Sequence, residues 1–466
     1  MIYGDNHNTS VYHQERLMPE QIEIVVVGAG AAGSAAARAL AHAGRHVLIA
    51  EPDRVGGTCL WRGCMPKKAL YHAGAVVRGL GRAAQFGVNG GAPAIDWPAV
   101  LAWKWHSQET YAGDQDGILS SLGIELVKAR ARFLSPETLD IGGREIEAEH
   151  VIVATGAVPI PLTVPGAEFA DTSETALRFQ ELPKSLCIIG AGYVSLEFAG
   201  IYASFGTSVT VLSRGATILA PFDRDCVAIA RTALEGLGVR FVTGATLTSL
   251  AGDRGDITVS YSVGDEPLTL RAERVLAAIG RRPAYDGLGL DVAGVDLDQR
   301  GRVVLDPALH SSNQRVFFVG DAASREQHTP IASIHGRSVA RTILEGAAVV
   351  PDTGGTPFAC FTVPELAQTG LTEEAAGSAG IAIESHSTTF EYLGAAIISD
   401  TRHGLVKIIA EKDTGIVIGG HIAGERASDL IYPLALAVRS RSTLEQLRSS
   451  AAVHPAFSES VNWASF

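Results

Sequence analysis

Ile22-Glu23-Ile24-Val25-Val26-Val27-Gly28-Ala29-Gly30-Ala31-Ala32-Gly33 joins a β-branched apolar run to three glycines and then to an alanine-rich stretch ending near Gly44. The run predicts a buried strand and the alanines a helix. Between them, Gly28, Gly30 and Gly33 allow a tight turn, close approach of backbone to a pyrophosphate and close helix–strand packing, while the helix N-terminus offers partial positive charge. A second strand, His46 to Ala50, ends at Glu51, about twenty residues beyond the glycines, where an acid binds a ribose hydroxyl. Glycine-rich turns alone are common. Strand, turn, helix and terminal acid in this order indicate a dinucleotide site.

The same grammar returns at Ser185-Leu186-Cys187-Ile188-Ile189-Gly190-Ala191-Gly192-Tyr193-Val194-Ser195-Leu196-Glu197, with Ser195 as a small substitute for the third glycine. A chain with two such units can hold two dinucleotides. Here the following strand, Ser208 to Leu212, ends in Ser213-Arg214 instead of an acid. An acid would grip the 2′-hydroxyl of NAD and repel the 2′-phosphate of NADP, whereas an arginine pairs with that phosphate. NADPH is therefore expected over NADH. The competing reading makes Arg214 a solvated loop residue.

Gly56-Gly57-Thr58-Cys59-Leu60-Trp61-Arg62-Gly63-Cys64-Met65-Pro66-Lys67-Lys68 places two cysteines directly after the first unit. Residues five apart on a regular helix do not meet the narrow Cα separation of a disulfide, about 4.4–6.8 Å. A Cys59–Cys64 bond therefore needs Cys59 at or before a helix start and a distorted turn through Gly63. Both sulfurs are expected to feel the helix N-terminus and Arg62, Lys67 and Lys68, which favour thiolate. That points to redox chemistry. A structural disulfide suits an exported chain, and a zinc site needs a second Cys/His cluster that is missing. Cys187, Cys226 and Cys360 read as buried small side chains.

The segment from Gly56 to Lys68 resembles the active-site segment of the flavoprotein disulfide reductases, the family of glutathione reductase, dihydrolipoamide dehydrogenase and mercuric reductase. The resemblance runs from about Ile22 to the C-terminus. It implies an α/β chain with two Rossmann-like dinucleotide-binding domains and a C-terminal α+β dimerisation domain. The expected bounds are 1–20 for a flexible extension, 21–156 for the FAD domain and 157–284 for the NAD(P)H domain. Residues 285–355 complete the FAD domain, and 356–466 form the dimerisation domain. Met18 offers an alternative start. The strand-like runs Gly404 to Ile409 and Ile416 to His421, and a helix from Asp429 to Ser440, belong to the last domain.

By this resemblance FAD takes the first site, with Gly57, Thr58, Lys68, Thr155, Gly156, Gly320 and Asp321 joining Gly28, Gly30, Gly33 and Glu51. NADPH takes the second, with Gly190, Gly192, Tyr193, Ser213, Arg214, Gly280 and Arg281. Relatives that use NADPH usually carry a second arginine where this chain has Ala220, so NADH remains possible. Cys64 is implied as the cysteine against the flavin and Cys59 as the outer one that exchanges with substrate. Lys67 stands beside the flavin with Glu197 as its partner, and Tyr193 covers the nicotinamide pocket.

Near the C-terminus, Val453-His454-Pro455-Ala456-Phe457-Ser458-Glu459 resembles the family's histidine–glutamate segment. Pro455 is expected to hold His454 out of helical conformation and to start the next helix, with Glu459 fixing the imidazole tautomer. In relatives this segment reaches the partner subunit's cysteines, which implies a homodimer. Arg38 and Arg337 match positions that hold the carboxylates of glutathione disulfide. Against that substrate, Trp103 to Gln115 yields no aligned cleft tyrosine, and Trp61 departs from the small or polar residue usual between the cysteines. A small carboxylate-bearing disulfide is the first expectation. Dihydrolipoamide dehydrogenase is the alternative, followed by mercuric reductase, a quinone reductase or a flavin-bearing sensor without turnover. The chain ends without the C-terminal cysteine pair that would hand on mercury.

The 466 residues are 46% hydrophobic and 19% charged, the composition of a globular chain, with five cysteines. A net charge of −12 argues against a nucleic-acid partner. No apolar run reaches the roughly 18 residues of a membrane helix, and no metal-ligand spacing is present. The first residues lack the basic start and apolar centre of a secretory leader, so the cytoplasm is the expected compartment.

Overall fold

Strand Glu20–Val27 is paired on both edges, in parallel, with Val47–Ala50 and Arg144–Val153. Ile24 and Val26 enter one core, and Val25 and Val27 another on the opposite face. A strand covered on both faces needs no polar alternation, which is why this run is continuously apolar. The sheet continues outward to Glu125–Val127, and Arg144–Val153 also pairs with Val316–Phe318. An antiparallel extension, Ala131–Phe133 and Thr138–Ile141, completes seven strands. The structure, a computed structural model, describes residues 18–89, 91 and 93–466. The expected flexible extension therefore lies mostly outside the described residues, and the first strand takes in Glu20.

Helices Ala31–His42 and Thr329–Glu345 pack together on the Ile24 face. A Cβ at Gly336 would stand 2.2 Å from the Ala32 carbonyl oxygen, so glycine is required for this approach. The chain segment after 285 thus returns to the sheet that the N-terminus began.

The second sheet has five parallel strands in the spatial order Arg240–Thr243, Ser208–Ser213, Ser185–Ile189, Arg274–Ala277 and Ala170–Asp171. An antiparallel meander over Ala245–Asp253, Asp256–Val263 and Glu266–Ala272 covers one face of it, packing on Cys187, Ile189, Leu212 and Val275. Short strands Ala157–Pro159 and Arg281–Pro283 pair where the chain enters and leaves this unit.

From Phe358 on, five antiparallel strands run in the order Phe358–Cys360, Leu366–Gly370, Val417–Ala423, Leu405–Glu411 and Ile383–Thr389. Helix Ala427–Arg439 buries Leu430, Ile431 and Leu434 against them. One continuous core joins all three units through Leu70, Phe198, Tyr202 and Leu366. Among the described residues no helix is long and apolar enough to cross a membrane.

Candidate active site

The first glycine turn leaves room for a side chain at one of its three positions. Gly28 has φ +107°, and a Cβ there would lie 2.5 Å from the Ala154 carbonyl oxygen. A Cβ at Gly33 would lie 1.9 Å from the Gly28 oxygen. Gly30 faces open space, where a Cβ would meet nothing within 4 Å. The Glu51 carboxylate is buried and accepts from the backbone N–H groups of Ala29 and Asp53, both at 2.9 Å. Thr155 Oγ1 is buried without a hydrogen-bond partner, while Gly156 and Gly320 adopt φ +73° and +62°. Burial raises the pKa of the Asp321 carboxyl, and Arg281 opposes the rise. A pyrophosphate cradle at Gly30, a carboxylate at its edge and an orphaned hydroxyl fit a bound FAD.

The cysteine segment is stitched to this cradle. Gly56 N–H donates to Ala29 O at 2.9 Å, and a Cβ at Gly57 would meet Gly30 Cα at 2.8 Å. Thr58 and Cys59 lie in the short helix Gly57–Trp61. Arg62 and Gly63 break the helical course, with φ/ψ of −136°/10° and −146°/−102°, and helix Cys64–Arg82 begins at Cys64. The distorted turn expected through Gly63 is present and turns the two positions toward each other, but Cys59 lies inside a short helix of its own and not at a helix start.

Both cysteines are free thiols, and they do not share the predicted preference for thiolate. A hydrogen bond from Cys59 lowers Cys64 to about 6 against burial, helped by Thr329, Lys68 and Lys67. The same bond and burial push Cys59 up. The bond between the sulfurs thus favours a thiol at Cys59 and a thiolate at Cys64, the latter helped by Lys67 as well as Lys68. Thr329 Oγ1 lies 3.5 Å from Cys64 Sγ, a contact that no local sequence signal announces. Cys187, Cys226 and Cys360 are buried, as expected.

Lys67 and Glu197 meet at 2.5 Å, and Lys68 binds the other Glu197 oxygen at 3.0 Å. Phe361 N–H also donates to Glu197, at 3.0 Å. Burial would raise the Glu197 pKa, but the two lysines and this amide reverse it to about 2. Lys68, placed by resemblance among the cofactor contacts, is thus engaged with Glu197 and stands 4.4 Å over the Phe361 ring.

The second turn repeats the first with one relaxation. Gly190 has φ +109° and no room for a Cβ against Ala278 O, while Gly192 faces open space. Ser195 fits where Gly33 cannot be replaced and reaches Ala278 O at 3.5 Å. Tyr193 opens helix Tyr193–Ser204 beside Gly192. Ser213 is buried and donates to Gly215 O at 3.1 Å. Arg214 is exposed at the strand end, with no ion-pair partner among the described residues. Gly280 has φ +123°, and Arg281 donates to Ala157 O.

His454 Nδ1 lies 2.9 Å from Glu459, whose second oxygen accepts from Ala456 N–H at 3.1 Å. The imidazole bond lowers the Glu459 pKa. The His454 side chain is 77% exposed whereas that of Glu459 is 11% exposed, so a held acid presents a free ring. Pro455 does not start the helix: the His454–Pro455 peptide is cis, and the helix begins at Glu459. Arg38 donates to Gln115 at 2.7 Å, while Arg337 is exposed on the neighbouring helix without an ion-pair partner among the described residues. Trp61 packs between Val55 O, which accepts its indole N–H at 2.8 Å, and Arg54, 3.7 Å above the ring. No metal-binding group occurs among the described residues.

Residues 22–336 match the sequence profile of the pyridine nucleotide-disulphide oxidoreductases, and 356–465 match the dimerisation domain of the same enzymes. The chain belongs to the pyridine nucleotide-disulphide oxidoreductases. It is a member of an enzyme family that uses FAD and NAD(P)H. A glutathione reductase of Burkholderia cepacia is 32% identical over 94% of this chain and 97% of its own length. Dihydrolipoyl dehydrogenase 3 of Haloarcula marismortui is 32% identical over 94% of each chain. Mercuric reductase of Streptomyces lividans is 32% identical over 91% of each. Among solved structures, the HOCl-induced flavoprotein disulfide reductase RclA from Escherichia coli superposes with a TM-score of 0.85 at 26% identity, covering 95% of this chain and 99% of that one. Relatives of equal similarity carry different substrate names, so membership fixes the chemistry but not the substrate.

Proposed function

We propose that this oxidoreductase is an NADPH-dependent homodimeric reductase of a small, carboxylate-bearing disulfide, acting in the cytoplasm. Residues 21–156 and 285–355 would hold FAD, 157–284 NADPH, and 356–466 the partner subunit. The observation that carries the reading is the free Cys59–Cys64 pair at the start of the helix that carries Lys67 and Lys68.

Bound FAD supplies the two-electron relay between the nicotinamide and the cysteine disulfide. Gly28, Gly30, Glu51, Thr155 and Asp321 would hold it, and Gly190, Gly192 and Arg214 would hold NADPH. Lys67, paired with Glu197 at 2.5 Å, places a cation where negative charge develops. Once reduced, the cysteine pair carries one proton and one negative charge. Cys59 loses its proton to His454 of the partner subunit as its sulfur attacks the substrate disulfide, and the first departing thiolate takes that proton. The Cys64 thiolate then attacks the Cys59 sulfur, restores the Cys59–Cys64 bond and releases the second product thiolate. Glu459 keeps the imidazole in the tautomer this transfer needs.

Arg214, exposed and unpaired, supports NADPH. Arg337 supports an anionic substrate more than Arg38 does, since Arg38 is held by Gln115. Dihydrolipoamide dehydrogenase is the second reading, favoured by the similarity to such enzymes. Turnover of glutathione disulfide, other carboxylate-bearing disulfides, lipoamide, Hg²⁺ and a quinone, each with NADPH and with NADH, separates them. Preference for an anionic disulfide with NADPH upholds the proposal. Preference for lipoamide with NADH replaces it by the second reading.

A further inference from the structure

We infer that His328 and Phe358 form the seat of the Tyr193 ring, so that His328 sets how readily the nicotinamide pocket opens. The inference rests on the reading of Tyr193 as the cover of that pocket.

Tyr193 is the first residue of its helix and directly follows Gly192, whose side faces the open space of the second dinucleotide turn. Its ring meets two others edge-on: Phe358 at 5.2 Å and 84°, and His328 at 5.8 Å and 60°. His328 and Phe358 are themselves stacked, 3.9 Å apart at 26°. All three are half-buried, with Tyr193 and Phe358 packed against the margin of the main core and not sealed inside it. Edge-on aromatic contacts are directional and are lost when the ring turns away. The seat comes from elsewhere in the fold: Phe358 opens the first strand of the C-terminal sheet, and His328 precedes helix Thr329–Glu345.

A neutral imidazole stacks on Phe358 without the cost of burying a charge. Burial lowers the pKa of His328 to about 4, with Glu197 opposing, so the ring is neutral near pH 7. Nothing else is asked of it: no side-chain hydrogen bond engages the His328 ring among the described residues. The next residue, Thr329, touches Cys64. One turn of chain therefore supports the cover with one side chain and the redox sulfur with the next.

A cover that rests closed reduces the apparent affinity for NADPH by the fraction of time the pocket is open. Removing one of the two edge contacts should raise that fraction and tighten binding by roughly two- to tenfold. The readout is spectral titration of oxidised, FAD-loaded enzyme with NADP⁺, which binds without reducing the flavin. His328→Ala and His328→Leu should tighten binding, and His328→Phe, which keeps a ring, should match the wild type. Should His328→Ala lose flavin, His328→Leu carries the same expectation with the bulk retained. In a Tyr193→Ala background the His328 substitutions should have no further effect. An unchanged affinity in His328→Leu, while Tyr193→Ala tightens binding, overturns the seat and leaves the cover reading standing. If Tyr193→Ala itself changes nothing, the cover reading falls and the seat falls with it. Equal effects of His328→Leu in both backgrounds also overturn the seat.

Discussion

Lys67 and Glu197 come from the two different dinucleotide units and close to 2.5 Å. Their helices, Cys64–Arg82 and Tyr193–Ser204, pack so tightly that a Cβ at Gly74 would stand 3.0 Å from Ser204 Cβ. The pair ties the cysteine helix to the nucleotide helix and sets a charge beside the redox sulfurs. Removing one member of a buried pair strands the other, at a cost of about 3–5 kcal/mol. Glu197→Gln should therefore lower the unfolding free energy by an amount of that order in denaturant titration, and an unchanged midpoint would show the pair to be idle.

The same carboxyl ties stability to acid. Folding depresses its pKa from an ordinary 4.5 to about 2, so its contribution is complete above the unfolded value and is lost as pH falls from about 4.5 through 2. Glu197→Gln should flatten that part of the stability–pH curve. A variant with the wild-type acid slope would assign the slope to other groups.

Thiolate absorbance of the reduced enzyme should titrate near pH 6 through Cys64. With NADPH and no substrate, a long-wavelength thiolate-to-flavin band is expected, lost in Cys64→Ser and retained in Cys59→Ser. Persistence in Cys64→Ser would exchange the roles of the two sulfurs. Cys59→Ala, which removes a donor, should move the Cys64 midpoint upward.

The two glycine turns, their strands and the cysteine segment were legible because each is a local pattern with a mechanical reason. Gly28 and Gly190 need positive φ, and a buried parallel strand needs no polar residue. Contacts made only by long-range folding were not legible. Thr329 reaches Cys64 across 265 positions, and Phe361 N–H reaches Glu197 across 164. Pro455 was misread because a proline marks a turn as readily as a helix start.

Arg214 should decide cofactor choice. A charge-assisted contact contributes about 1.5–3 kcal/mol, so Arg214→Glu should lower kcat/KM for NADPH by roughly ten- to a hundredfold and spare NADH. Unchanged preference would return Arg214 to the solvated loop.

His454→Ala should lower kcat with disulfide by about 10²–10⁴-fold while flavin reduction by NADPH continues. Refolding this variant together with Cys64→Ser should restore about one quarter of wild-type activity, since half of randomly paired dimers then contain one intact site. Failure to complement would place the acid and the sulfurs in one subunit. Arg337→Ala should raise KM far more than it lowers kcat, because a distant anchor holds ground and transition states alike.

The most direct measurement counts product thiols against NADPH consumed, with an anionic disulfide as the sole acceptor. Two-electron reduction through Cys59 and Cys64 should release about two thiols per NADPH, and none in Cys64→Ser. NADPH oxidation with no thiol released, sustained instead by a quinone or oxygen and indifferent to Cys64→Ser, would contradict the account.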